Sequence, residues 1–201
     1  ATITEDGEYR VSGSVTGPIT DNLACRLRAT SPNVRGNIRN VATGDWEHGS
    51  KSWGFRGKLE WRPTENLSLL GSAEYWQSNS DCCQTVSIYS QAPARARLLA
   101  PSISGPENRE VNNDSLGFTY AQKTTYSLEA DLDLGWASLT SITAYQNYKQ
   151  DENNEVDSIV SILPVYVGAT GGNNYSQFNL NGGLIHLDQF SQEVRLTSKS
   201  G

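Results

Sequence analysis

The 201-residue chain has no methionine, two histidines and three cysteines. It has no P-loop, no HExxH and no CxxC, so the spacings that nucleotide, zinc or dithiol chemistry needs are missing. His48 and His186 lie far apart in sequence without evident partners. A catalytic reading has little support: the chain does not read as an enzyme, and neither a cofactor nor a metal site is expected. No run of eighteen apolar residues exists, which excludes a transmembrane helix. Membrane-spanning strands are not excluded, because they alternate and hydropathy barely registers them. Hydrophobic residues make up only 36%, low for a domain that must fill a core. The net charge of −6 argues against a nucleic-acid partner. With no Met at position 1 and no signal peptide, the sequence is expected to be a processed product or a piece of a longer chain.

What is present is alternation. In KLEWRPTENLSLLGSAEYW, residues 58–76, Leu59 and Trp61 point one way and Lys58, Glu60 and Arg62 the other. After a Pro-Thr-Glu-Asn corner, Leu67, Leu69, Gly71, Ala73 and Tyr75 form one row, with Ser68, Ser72 and Glu74 opposite. Period two on both sides of a turn is an antiparallel hairpin. The pattern recurs at 8–16 (Tyr9, Val11, Gly13, Val15), 22–30 (Leu23, Cys25, Leu27, Ala29), 52–62 (Trp53, Phe55, Gly57), 125–134 (Tyr126, Leu128, Ala130, Leu132) and 189–198 (Phe190, Val194, Leu196). Residues 137–148 also read as a strand. There Leu139 and Tyr145 share one parity and Ile142 the other, which suggests a bulge.

The connections alternate in length. Those near Pro18, Pro63 and Gly135 are short; 31–51, 78–123 and 150–187 are long. An up-and-down meander puts all short turns at one end and all long loops at the other. Loops this long are uncommon inside compact soluble domains, whereas outer-membrane barrels have this asymmetry. The expected fold is all-β, an antiparallel meander of about seven long strands forming a segment of a large transmembrane β-barrel. In that reading Leu59, Trp61, Leu69 and Leu128 face lipid, Arg56, Lys58, Glu129 and Asp131 face a wet lumen, and the strands near residues 10 and 194 do not pair with each other. The aromatics Tyr9, Trp53, Trp61, Tyr75 and Tyr126 lie near strand ends, where interfacial girdles belong. Two alternatives stay open: a secreted β-sandwich carbohydrate-binding module, and a passive porin or adhesin barrel.

Four stretches, in order, resemble the barrel of TonB-dependent outer-membrane receptors: YRVSGSVTGPITDNLACRLRATSPNVRGNIRNVATG, SWGFRGKLEWRPTENLSLLGSAEYW, YSLEADLDLGWASLTSITAYQNY and FSQEVRLTS. The resemblance implies a plug inside a barrel of about twenty-two strands and uptake of a scarce ligand, such as a ferric siderophore, powered by an inner-membrane TonB complex. It implies residence in the outer membrane of a Gram-negative bacterium, with lipid and the protein's own plug as partners. Residues 1–201 would then be a partial barrel domain, with plug, TonB box and remaining strands outside it. Lumen residues Arg26, Arg56, Lys58, Glu60, Glu129, Asp131 and Arg195 would hold the plug or pair with one another across strands.

Ligand-binding candidates lie in the long loops. Arg95, Arg97 and Arg109, with Tyr89 and Tyr120 nearby, offer charge-assisted hydrogen bonds to an anionic ligand; an ordinary loop of mixed charge is the bland alternative. Trp46, beside Glu47 and His48, could stack on a ligand ring or anchor its loop. Cys82 and Cys83 are candidates for a vicinal disulfide, and Cys25 reads as a small hydrophobe. The run DENNEVD, 151–157, offers oxygen ligands, but Val156 stands where a calcium loop needs Gly, so a solvated strand extension is expected. Gly168, Gly171 and Gly172, with Asn173 and Asn174, read as a flexible loop.

Overall fold

The computed structural model describes residues 1–5, 7–81, 84–89, 96, 99–114, 117–155, 166–167, 173–174 and 180–199. Seven long strands dominate: β2 (Glu8–Thr20), β3 (Leu23–Val34), β6 (Ser50–Thr64), β7 (Leu67–Ser80), β9 (Phe118–Asp133), β10 (Ala137–Glu155) and β13 (Leu180–Ser198). Short β1 (Thr2–Ile3) is the eighth member of their sheet, whose order is β1-β2-β3-β6-β7-β9-β10-β13. Each long strand pairs antiparallel with the next. The short turns therefore gather at one end and the long connections at the other.

Turn chemistry explains the tight end. Thr20 and Thr64 each donate a hydroxyl proton to the side-chain oxygen of an asparagine two residues on, Asn22 at 2.8 Å and Asn66 at 2.7 Å. Gly135 takes a φ of 80°, which favours glycine, and its N–H donates to Asp133 Oδ1 at 2.7 Å. The strands run further than the sequence suggested. The first turn falls at Asp21–Asn22 rather than around Pro18, and β10 continues through Glu155 to pair with Leu180. That extension shortens the last long connection and makes the described part of DENNEVD a strand. The suggested bulge in 137–148 does not occur: the register from Ser138↔Asp133 to Asn153↔Phe118 is unbroken. The mixed parity arises because the outward face of β10 carries Ser141 and Thr143 between Leu139 and Tyr145.

One face of the sheet is apolar and remains open. Leu59 is 45% exposed, Leu128 50% and Phe190 68%. Among the described residues no second sheet packs on Leu59 or Leu128, so the sandwich expectation fails. Among the described residues, the buried apolar ones are Ile38, Leu99, Val111, Ala121 and Ala137. None of the leucines and aromatics of the open face is among them. The other face carries Arg26, Arg28, Arg56, Lys58, Glu74 and Lys123, together with a fringe of serine and threonine. No ladder joins β2 to β13 among the described residues. The sheet is an open arc rather than a closed barrel.

A row of aromatics on the apolar face shows how the strands tilt. They are Tyr9 on β2, Trp53 on β6, Tyr75 on β7, Tyr126 on β9, Tyr145 on β10 and Phe190 on β13. Following the ladder from Tyr9 through Asn33, Lys51, Asn79, Tyr120 and Asp151 leads to Leu184, six residues from Phe190. The apolar band thus slips one residue per strand. With a rise of about 3.3 Å per residue and strands about 4.8 Å apart, a level band then requires a tilt of about 35°, within the usual barrel range.

A candidate ligand rim at the long-connection end

Two of the long connections fold together beyond the strand ends. Strands β4 (Ile38–Asn40) and β5 (Trp46–Glu47) form a small hairpin, and β8 (Glu110–Val111) adds to β4 in parallel. The order is β5-β4-β8. Gly36 permits the tight entry: a Cβ there would lie 2.5 Å from the Glu47 carbonyl oxygen. Ile38, Leu99 and Val111 are sealed within this unit.

Its interior also holds a polar cluster that the sequence reading missed. Asn40 and Asn113 are fully buried, Glu47 is 2% exposed and Gln84 5%. The Asn40 amide donates to Glu47 Oε1 at 2.6 Å and to the Asn113 carbonyl at 3.1 Å, and its oxygen accepts from Ala42 N–H at 3.0 Å. The Asn113 amide donates to Gln84 Oε1 at 2.7 Å. One asparagine thereby ties residues 73 positions apart in sequence. Burial pushes the Glu47 carboxyl above its ordinary range, and the Asp81 and Asp45 carboxylates add to this. The Asn40 hydrogen bond and His48 oppose it. The one visible sequence signal was a turn-forming Asn at 40 within NVATG; its partner at 113 could not be inferred.

The predicted ligand residues separate. Trp46 sits on β5, 48% exposed, with the Arg35 guanidinium 5.4 Å from its ring centroid. Arg109 joins the same unit: its carbonyl accepts the Arg39 N–H at 2.8 Å, and Arg39 pairs with Trp46. The Arg109 guanidinium donates to the Asn108 carbonyl at 2.9 Å. Tyr89 is exposed and borders a cleft of about 260 Å³ with Leu99, Ser102, Glu110 and Asn112. Tyr120 stays on β9, opposite Asn79 and Asp151, with its hydroxyl bonded to Gln122. Arg95, Arg97, Cys82 and Cys83 lie outside the described residues, as do Gly168, Gly171 and Gly172; Asn173 and Asn174, expected in a flexible loop, instead form short β12 (Asn173–Asn174), paired with β11 (Tyr166–Val167). Cys25 is a free, half-buried thiol. A larger cleft of about 650 Å³ lies where the rim meets the long sheet, between Arg35, Trp46, Lys51, Asp81 and Phe118. It combines two aromatic walls with charges of both signs, a surface suited to a polar organic ligand.

This arrangement, a one-sheet meander crowned by structured loops, has counterparts among solved structures. The ferric yersiniabactin uptake receptor FyuA from Yersinia pestis superposes with a TM-score of 0.73 at 14% identity, over 99% of this chain and 27% of that one. The ferric-catecholate import receptor Fiu from E. coli K12 superposes with a TM-score of 0.59 at 12% identity, over 96% of this chain and 26% of that one. The chain has the fold of a segment of the β-barrel of these two structures. It spans about a quarter of the length of these receptors. No protein-family model and no curated protein matches the chain.

Proposed function

We propose that residues 1–201 are one stretch of the barrel of an outer-membrane, TonB-dependent uptake receptor in a Gram-negative bacterium. The plug and the remaining strands belong to the rest of the protein. The observation that carries this reading is the two-faced open sheet: an apolar face on which, among the described residues, nothing packs, a charged face opposite, and every long connection at one end. In water an uncovered face of Leu, Val and aromatic side chains is an aggregation hazard; in a bilayer it is the required surface. The rim would meet the ligand outside the cell, with Trp46, Tyr89, Arg109 and, on its loop, Arg95 and Arg97 as first contacts; Tyr120 shares the face of β9 that carries Leu128 and is not among them. The protein would capture and import rather than catalyse. A ferric siderophore is the ligand class that the likeness to two ferric-chelate receptors favours.

The test uses the full-length protein. Heat-modifiable gel migration and recovery in the outer-membrane fraction are expected. Deletion of its gene should slow growth under iron limitation when a single ferric siderophore is supplied, and not in iron-replete medium. A protein that stays soluble without detergent would overturn the membrane reading. Equal growth of mutant and parent across a siderophore panel would overturn the ligand class.

A further inference from the structure

The charged face is not evenly mixed. On β3 and β6, Arg26 stands directly opposite Lys58, and Arg28 directly opposite Arg56. Like charges in opposite cross-strand positions repel. Glu74, opposite Arg56 on β7, is the carboxylate within reach; it accepts from Arg56 Nε at 2.6 Å and bridges Lys123 at 3.3 Å. Both its oxygens are therefore engaged. Glu60, two residues along from Lys58, bridges Arg62 instead, at 2.6 Å. Arg26, Arg28 and Lys58 are exposed, and their side chains have neither hydrogen bond nor ion pair among the described residues.

The surroundings are short side chains. Thr16 and Ser14 flank the pair of arginines on β2, and Ser72 and Ser127 continue the Lys58 row, their hydroxyls 2.7 Å apart. The long cationic side chains overtop these neighbours. Opposite positions lie about 5 Å apart and successive same-face positions about 7 Å apart, so four cationic stems rise from a rectangle about the size of a small polycarboxylate. The free heads are all donors. A partner offering acceptors only, with two or more negative charges, matches them; a polypeptide surface, which also presents N–H donors, matches less well. Guanidinium forks add bidentate geometry for carboxylate or phosphate oxygens.

We infer that Arg26, Arg28, Arg56 and Lys58 form a binding site for a small multivalent oxyanion on the charged face, below the rim. Where the proposed receptor holds, this face meets the aqueous interior and the site lies on the route inward. The test is calorimetric titration of the full-length protein in detergent with tricarballylate and with pyrophosphate, using the neutral triamide of tricarballylate as control. Both anions should bind, more weakly as salt rises, and the triamide should not. The double variant Arg28→Gln/Lys58→Gln removes two unpaired cations and leaves the Arg56–Glu74 pair intact. It should weaken both anions at least tenfold while heat-modifiable migration is unchanged. Arg28→Lys, which keeps the charge, should retain most of the binding. Unchanged affinity in the double variant, or equal binding of the triamide, would overturn the site. So would absence of binding in the wild type, the result expected if an acidic stretch of polypeptide already covers the cations. Growth on ferric siderophores is scored separately, so failure of the ligand class leaves the anion result standing.

Discussion

In the long sheet, Leu59 and Leu128 stay about half exposed and hydrogen bonds between strands supply the order; in the rim unit, Ile38, Leu99 and Val111 are sealed and a buried amide network supplies it. In the proposed receptor the difference is one of solvent. The rim must make its own core, as any domain in water must, and it is small enough that Asn40 and Asn113 help hold it together. The long sheet makes no core, because its apolar residues face outward. Hydrophobicity thus does opposite work in two regions of one chain, and each region should fail in its own way.

The sharpest way to break the contrast is a charge on the apolar face. Leu128→Arg in the full-length protein should cost about 2–4 kcal/mol if Leu128 lies near the bilayer midplane. The readout is the fraction that shows heat-modifiable migration after refolding into lipid vesicles. Ile103→Arg, at an 81% exposed rim position, should leave that fraction unchanged. Equal tolerance of the two changes would place Leu128 in water.

The next effect belongs to the rim. Asn40→Ala strands Glu47 Oε1, the Asn113 carbonyl and the Ala42 N–H together, and should destabilise the rim by about 1–3 kcal/mol. Amide exchange at Arg39 and Val41, which bond Arg109 and Val111, should accelerate while amides of β9 and β10 are unaffected. Acceleration in both regions would mean that they are a single cooperative unit.

Glu47→Gln should have a smaller effect, and one that depends on pH. The folded rim holds the Glu47 proton more tightly than the unfolded chain does. Its contribution is therefore fully present below the ordinary glutamate range near 4.3 and is lost as pH rises through the raised value. Rim protection, corrected for intrinsic exchange, should fall as pH rises above the ordinary glutamate range in the wild type and stay nearly flat in the glutamine variant. A wild-type profile as flat as the variant's would show that Glu47 is solvated. The smallest effect is Trp46→Ala, which removes the Arg35 contact, worth about 0.5–1 kcal/mol at an exposed site. Differential thermal denaturation should barely register it, whereas ligand affinity should drop clearly if Trp46 stacks on the ligand.

Particular elements show what could be read in advance. Alternation from Tyr9 to Leu196 and the three tight turns placed all seven long strands, because period two and turn chemistry are local properties. The rim could not be read in the same way. Ile38 and Val111 lie in segments too short for any period to show, and the parallel β4–β8 pairing joins residues that have no sequence pattern in common. Of the ligand candidates, Trp46 and Arg109 were brought into one unit, while Tyr120 remained on the long sheet.

By itself, the sequence determined strand identity, the apolar and charged rows and the end at which each connection lies, since side-chain direction in a strand depends only on parity. Tertiary pairing decided the rest. It set Arg28 against Arg56 and Arg26 against Lys58, slid the aromatic band one residue per strand, left β2 and β13 apart, and buried Asn40 beside Glu47 and Asn113. Each of these depends on which strand or loop is the neighbour and in what register, and that is a property of long-range contacts that no local pattern encodes.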